Sequence, residues 1–225
     1  MNDNLTDQQR AEQVWGWLRE NGWYLLGGIV LGLGGLFVWR QWGASQLESA
    51  EQASALYAEL LTSIRVERAT RAEEIAAKLA ADFSSTPYAD QARLAMARVK
   101  MDRNQPDDAA KYLREAMDGA GGEEIRHIAR LRLARVLAQQ EKYDEALQVL
   151  VVPDGSSFAP RYHEVRGDVL VSMGRADEAR TEYEAALTGA DSAVIDQLYV
   201  QAKLDGLAGG ATQAADDRVA ESPAN

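Results

Sequence analysis

Apolar positions follow two regimes along the chain. From Trp23 to Trp39, seventeen consecutive residues carry no charge, and Glu20 and Arg40 bound the run. At about 1.5 Å per residue it covers roughly 26 Å, close to the roughly 30 Å hydrocarbon core of a bilayer. Beyond Gly43 the apolar residues recur instead at three- and four-residue spacing among Ala, Leu, Glu and Arg. That period predicts one amphipathic helix after another, with few β-branched runs to oppose it. The chain is therefore expected to be all-α, with a membrane-spanning helix over 23–42 followed by a helical domain over 43–207. From Ala208 the period is lost among Ala, Gly, Asp and Ser, which predicts a disordered tail over 208–225.

The ends of the apolar run carry aromatic markers. All five tryptophans lie between positions 15 and 42, and Trp23, Trp39 and Trp42 stand with Arg40 at the edges of the span. Indole rings favour the headgroup zone, where an apolar ring and one N–H donor are both satisfied. A cleaved signal peptide would have a shorter apolar core after a basic segment. Here the preceding segment carries Asp3, Asp7, Glu12 and Glu20 beside only Arg10 and Arg19, so an uncleaved anchor is expected. Gly28, Gly32 and Gly35 fall on one face of the span, where small residues let a second membrane helix approach. Residues 1–22 are expected to be a tail holding a short amphipathic helix over 7–20, begun by the capping box Thr6–Gln9 and broken at Asn21-Gly22. Two arginines before the span against one after it favour a cytoplasmic N-terminus.

The helical part repeats itself. Arg93 to Val99 recurs as Arg130 to Val136, 37 residues later, and a third copy passes through Gly167 to Leu170. Each copy leads through a polar turn to an Asp/Glu-Ala helix start at Asp108-Ala109, Glu145-Ala146 and Glu178-Ala179. A small residue in the first helix precedes that alanine by twelve: Ala97/Ala109, Ala134/Ala146 and Gly167/Ala179. Four residues further comes a bulkier one: Leu113, Leu150 or Tyr183. Two antiparallel helices cross closely only where side chains are small, and the larger residue fills the next gap. The pattern resembles the tetratricopeptide repeat, whose period is about 34 residues. Pro153 should end one second helix early, with a loop over 153–160. An irregular pair, Leu47 to Arg65 and Ala72 to Phe83, precedes the repeats. Ser192 to Leu204 should form a capping helix with Ile195, Leu198, Tyr199 and Ala202 facing inward.

Composition narrows the chemistry. The net charge is -11, from 24 basic and 35 acidic residues, and there is no cysteine. An acidic domain of this kind is a poor binder of nucleic acid, whose affinity comes from clustered Lys and Arg. Thiolate chemistry and disulfides are excluded. No phosphate-binding glycine loop, metal-ligand spacing or nucleophile–base pair occurs, so no enzyme and no cofactor are expected. The two histidines, His127 and His163, lie on neighbouring first helices and are expected to serve a surface or interhelix role. The acidic pairs at helix starts favour the helix dipole. What remains is a binding surface. In tetratricopeptide arrays the first helices line the concave face, and by that analogy Arg98, Met101, Arg135, Gln139 and Asp168 should point into it. Arg98 and Arg135 occupy equivalent positions and are suited to clamp acidic or carbonyl groups of an extended peptide.

A second resemblance follows from the order of several motifs. Glu20-Asn21-Gly22, the glycine-rich span with Val30-Leu31-Gly32, Trp39-Arg40-Gln41-Trp42, and Lys203-Leu204-Asp205-Gly206-Leu207 are similar to the YfgM family, ancillary subunits of the bacterial SecYEG translocon. The likeness covers residues from about 12 to 207. It implies a single-span inner-membrane protein with a periplasmic repeat domain. It also implies association with the SecYEG translocon and a membrane-anchored periplasmic chaperone, and assistance to translocated client proteins. A tethered repeat scaffold of another envelope pathway, such as cytochrome c maturation, is the alternative.

Overall fold

In a computed structural model of the chain, the described residues are 7–119, 121–152, 155–188 and 195–207. Every regular element among them is a helix: α1 (Asp7–Arg65), α2 (Ala69–Asp82), α3 (Pro87–Asp102), α4 (Pro106–Gly119), α5 (Glu123–Gln139), α6 (Tyr143–Val149), α7 (Ala159–Ser172) and α8 (Ala176–Thr188). A further helix, α9, covers 197–207. The chain divides into two compact units between Gln52 and Ala53. The expected disordered tail, the capping-box Thr6, Pro153 and Ser192 lie outside the described residues.

The first unit corrects the expected break at Asn21-Gly22. Helix α1 runs through both residues without interruption. The Asn21 side-chain amide donates to the Trp17 carbonyl at 3.1 Å, so it reinforces the helix it was expected to end. One Asn-Gly pair costs about 1 kcal/mol of propensity, too little to break a helix whose neighbours favour it. Within 15–52 the large apolar side chains that are described are exposed, among them Trp23, Leu31, Phe37 and Trp39. By length and apolar composition this helix can cross a membrane.

The second unit stacks helix pairs, and from α2 to α8 each helix packs on its sequence neighbour. The small–bulky pattern forms its core. Ala97, Ala109, Leu113, Ala134, Ala146, Leu150, Ala179 and Tyr183 are all buried. Helix α6 has only seven residues and ends at Val149, before the expected proline stop. Directly after it, α5 and α7 come into contact.

The turn between the helices of each pair is the same four times over. Glu67, Asn104, Glu141 and Gly174 take positive φ, at 57°, 57°, 61° and 73°. The next residue's N–H reaches back to the carbonyl five residues earlier: Arg68 to Ser63, Gln105 to Lys100, Lys142 to Leu137 and Arg175 to Leu170, at 2.8–2.9 Å. This closure satisfies carbonyls at the helix end. The pair formed by the end of α1 and α2 is thus a repeat like the others. Its buried Leu60 sits where later repeats carry Ala97, Ala134 and Gly167, and its buried Ala76 where they carry Leu113, Leu150 and Tyr183. Bulk has changed sides within the pair. Non-glycine residues at positive φ are strained. Glu141→Gly should therefore raise the stability by about 0.5–1 kcal/mol, and Gly174→Ala lower it by about 1 kcal/mol, in thermal unfolding.

The last helix corrects a second expectation. Leu198, Tyr199 and Ala202 are exposed, and the inward face is Val200, Lys203, Leu204 and Leu207. Lys203 explains the change of register. Its ammonium donates to Asp168 at 2.6 Å and to Glu164 at 3.1 Å on α7. A lysine that signals a solvated face in sequence is partly buried here because two carboxylates receive it. Burial works against its charge, but the bonds to Asp168 and Glu164 outweigh that and hold its pKa above the ordinary value.

Candidate binding surface

Helices α3, α5 and α7 are neighbours, α5 lying between the other two. Along α5, Ile128, Leu131, Arg132, Arg135 and Val136 share one face by helical spacing. This face forms the floor of two clefts. The first holds about 330 Å³ between Leu94, Ala97, Arg98 and Met101 of α3, Leu113 of α4, and Arg132, Arg135 and Val136 of α5. The second holds about 490 Å³ between Ile128, Leu131, Arg132 and Arg135 of α5 and Ser157, Phe158 and Arg161. Arg132 and Arg135 belong to both, so the clefts form one trough across α5.

Three of the five expected surface residues, Arg98, Met101 and Arg135, come together there. Gln139 is exposed one turn beyond Arg135 and lines neither cleft. Asp168 lies elsewhere. Its carboxylate accepts from the Tyr183 hydroxyl at 2.9 Å as well as from Lys203, which ties α7 to α8 and α9. Arg132, Phe158 and Arg161 are among the lining residues that the sequence did not point to. Arg132 carried a signal, since it precedes Arg135 by one turn. Phe158 carried none beyond being the one aromatic in a polar loop.

The arginines differ in their partners. Among the described residues Arg98 meets only Asp102, at 3.8 Å, with both side chains well exposed, a geometry that contributes little. Arg161 Nη1 donates to the buried Glu164 at 2.7 Å. Among the described residues, Arg132 and Arg135 form no ion pair. The two histidines each bridge helices and do not meet. His163 lies 2.7 Å from Glu182 of α8. His127 stacks on Phe158 at 4.7 Å, and its Nδ1 lies 2.8 Å from the buried Tyr162 hydroxyl. His127 thus props the wall of the larger cleft.

Burial first, then the Arg130 charge, holds the His127 pKa below its ordinary value, against the opposing Glu123. The folded state therefore keeps a neutral imidazole to lower pH than the unfolded chain does. Its contribution to stability is present above about pH 6.5 and is lost as pH falls through the lowered folded value. His127→Asn keeps an acceptor for Tyr162. Its stability should fall less steeply than the parent's between about pH 7 and 5, as measured by thermal unfolding at a series of pH values.

In the apolar part of α1, Gly28, Gly32 and Gly35 face open space, with no atom near where a Cβ would stand. Trp23, Trp39, Arg40 and Trp42 are exposed at the two ends of the apolar run. Among the described residues there is no group of three or more His, Asp or Glu side chains able to hold a metal ion.

Stacked helix pairs with a trough on their first helices, preceded in the sequence by a helix long and apolar enough to cross a membrane, define a tetratricopeptide-like repeat protein. A family model described as a tetratricopeptide repeat-like domain matches residues 16–209. An ancillary SecYEG translocon subunit of Escherichia coli (strain K12) is 32% identical over 205 residues, covering 91% of this chain and 97% of that protein. Proteins of the same description from Haemophilus influenzae and Neisseria gonorrhoeae are each 30% identical, covering 91% of this chain and 98% of theirs. The chain belongs to this family of ancillary SecYEG translocon subunits. The family is not a known enzyme class, and the similarity does not favour an assembly line such as cytochrome c maturation.

Proposed function

We propose that the chain is a single-span inner-membrane adaptor that associates with the SecYEG translocon and holds its repeat domain in the periplasm. The carrying observation is likeness to ancillary translocon subunits along nearly the whole chain. The anchor docks laterally through the face of Gly28, Gly32 and Gly35, with Trp23, Trp39, Arg40 and Trp42 at the membrane boundaries. The repeat domain binds a membrane-anchored periplasmic chaperone or newly translocated proteins. Arg98, Met101 and Arg135 supply contacts, and the work is binding without catalysis. The open glycine face and the uncovered trough support this reading.

Orientation is tested by protease treatment of spheroplasts with a tag placed after Ala208. Digestion of the tag from outside is expected. Protection in intact spheroplasts, with digestion only after lysis, would turn the protein round and make its partners cytoplasmic.

A further inference from the structure

We propose that the trough across α5 receives an extended segment of another polypeptide in which carboxylates flank an aliphatic or aromatic side chain. This rests on the reading that the first-helix face binds partners, and it names the chemistry that the face selects. Of the residues lining the two clefts, four are arginines, none is acidic, and most of the rest are apolar. That is anomalous in a chain of net charge -11.

A third cavity on the same domain provides the comparison. It is of similar size, about 300 Å³, between α2, α3 and α4, and Glu73, Asp108 and Glu115 stand in it beside Lys100 and Lys111. There Lys100 donates to Glu73 at 2.7 Å, so the cavity answers its own charge. In the trough, Arg132 and Arg135 have no such answer among the described residues. Among those residues Arg98 has only its long contact to Asp102, and Arg161 uses one nitrogen on Glu164. Guanidinium groups pair with carboxylates through two parallel hydrogen bonds, which backbone carbonyls do not offer.

The floor narrows the ligand further. Leu94, Ala97, Met101, Ile128, Leu131, Val136 and Phe158 give no partner to a fully solvated polyanion, but they accept an apolar side chain held between the two clefts. An extended strand presents alternate side chains to opposite faces, so an acidic segment with interspersed apolar residues can address guanidinium groups and floor together.

The test uses the full chain in phosphatidylcholine nanodiscs and fluorescence anisotropy. The probe is a labelled synthetic peptide of alternating Glu and Leu with one central Phe. Two matched peptides carry Gln for every Glu, or Ser for every Leu and Phe. The acidic apolar peptide should bind at least about tenfold more tightly than either control, and should weaken as salt is raised. Arg132→Gln with Arg135→Gln should cost at least about tenfold, with helical content retained by circular dichroism, whereas Lys111→Gln in the third cavity should leave binding unchanged.

Equal binding of the Gln peptide overturns the acidic assignment and leaves the face-binding reading standing. Tighter binding by a chain ended at Gly209 makes the protein's own acidic segment, with Asp216, Asp217 and Glu221, the occupant, and overturns the assignment to another polypeptide. Failure of all three peptides to bind also overturns the assignment. In that case, undiminished recovery of the membrane-anchored periplasmic chaperone or of translocated proteins by the double arginine variant removes the face-binding reading as well. Reduced recovery keeps it.

Discussion

Gly167→Ala destabilises the repeat domain by about 1–3 kcal/mol, and Tyr183→Leu in the same chain restores most of the loss. A Cβ on Gly167 would overlap the Tyr183 ring, standing 2.6 Å from Cδ1 and closer still to Cε1. The ring cannot retreat, because Tyr183 is buried and its hydroxyl is bonded to Asp168. On its own, Tyr183→Leu opens a cavity beside the glycine and removes that bond, for a loss of about 1–3 kcal/mol. Together the two changes recreate Ala97 against Leu113 and Ala134 against Leu150, the pairs of the two preceding repeats. A double-mutant cycle by thermal unfolding should therefore give a favourable coupling of at least about 1 kcal/mol. Simple addition of the two losses would mean that the pair is not the packing unit.

The second large effect lies at the other end of the domain. Leu60→Ala should cost about 2–5 kcal/mol, because Leu60 is wholly buried among Ala53, Ala72, Ile75, Ala76 and Leu79. Adding Ala76→Leu places the bulk on the opposite side, as in the later repeats, and should recover part of the loss. Hydrogen exchange localises the result. Protection should fall in α2 and the end of α1 with Leu60→Ala, and should remain in α7 and α8. Uniform loss along the domain would contradict the stacking of semi-independent pairs.

The same packing rule explains what was legible in the sequence. Three repeats could be read because Ala97/Leu113, Ala134/Leu150 and Gly167/Tyr183 keep the small residue on the first helix. The first repeat escaped because Leu60 and Ala76 exchange roles, so that the small residue stands on the second helix. The register of α9 was misread for an electrostatic reason. Its period admits two faces, and Leu198-Tyr199 looks the more apolar until Glu164 and Asp168 are placed beside Lys203. Asp168 was carried to the concave face by analogy, and that same cluster takes it away. Arg98, Met101 and Arg135 converge because equivalent positions on successive first helices become neighbours when the pairs stack. Phe158 and Arg161 join them only through a loop whose path no local pattern specifies.

The central claim, attachment to the translocon, is tested most directly by purifying the tagged full chain from inner membranes in mild detergent and measuring the translocon core that comes with it. That core should be recovered at a substantial fraction of the tagged chain, and less of it when Gly28, Gly32 and Gly35 are replaced together by Leu. Recovery no greater than that of an unrelated single-span protein would contradict it.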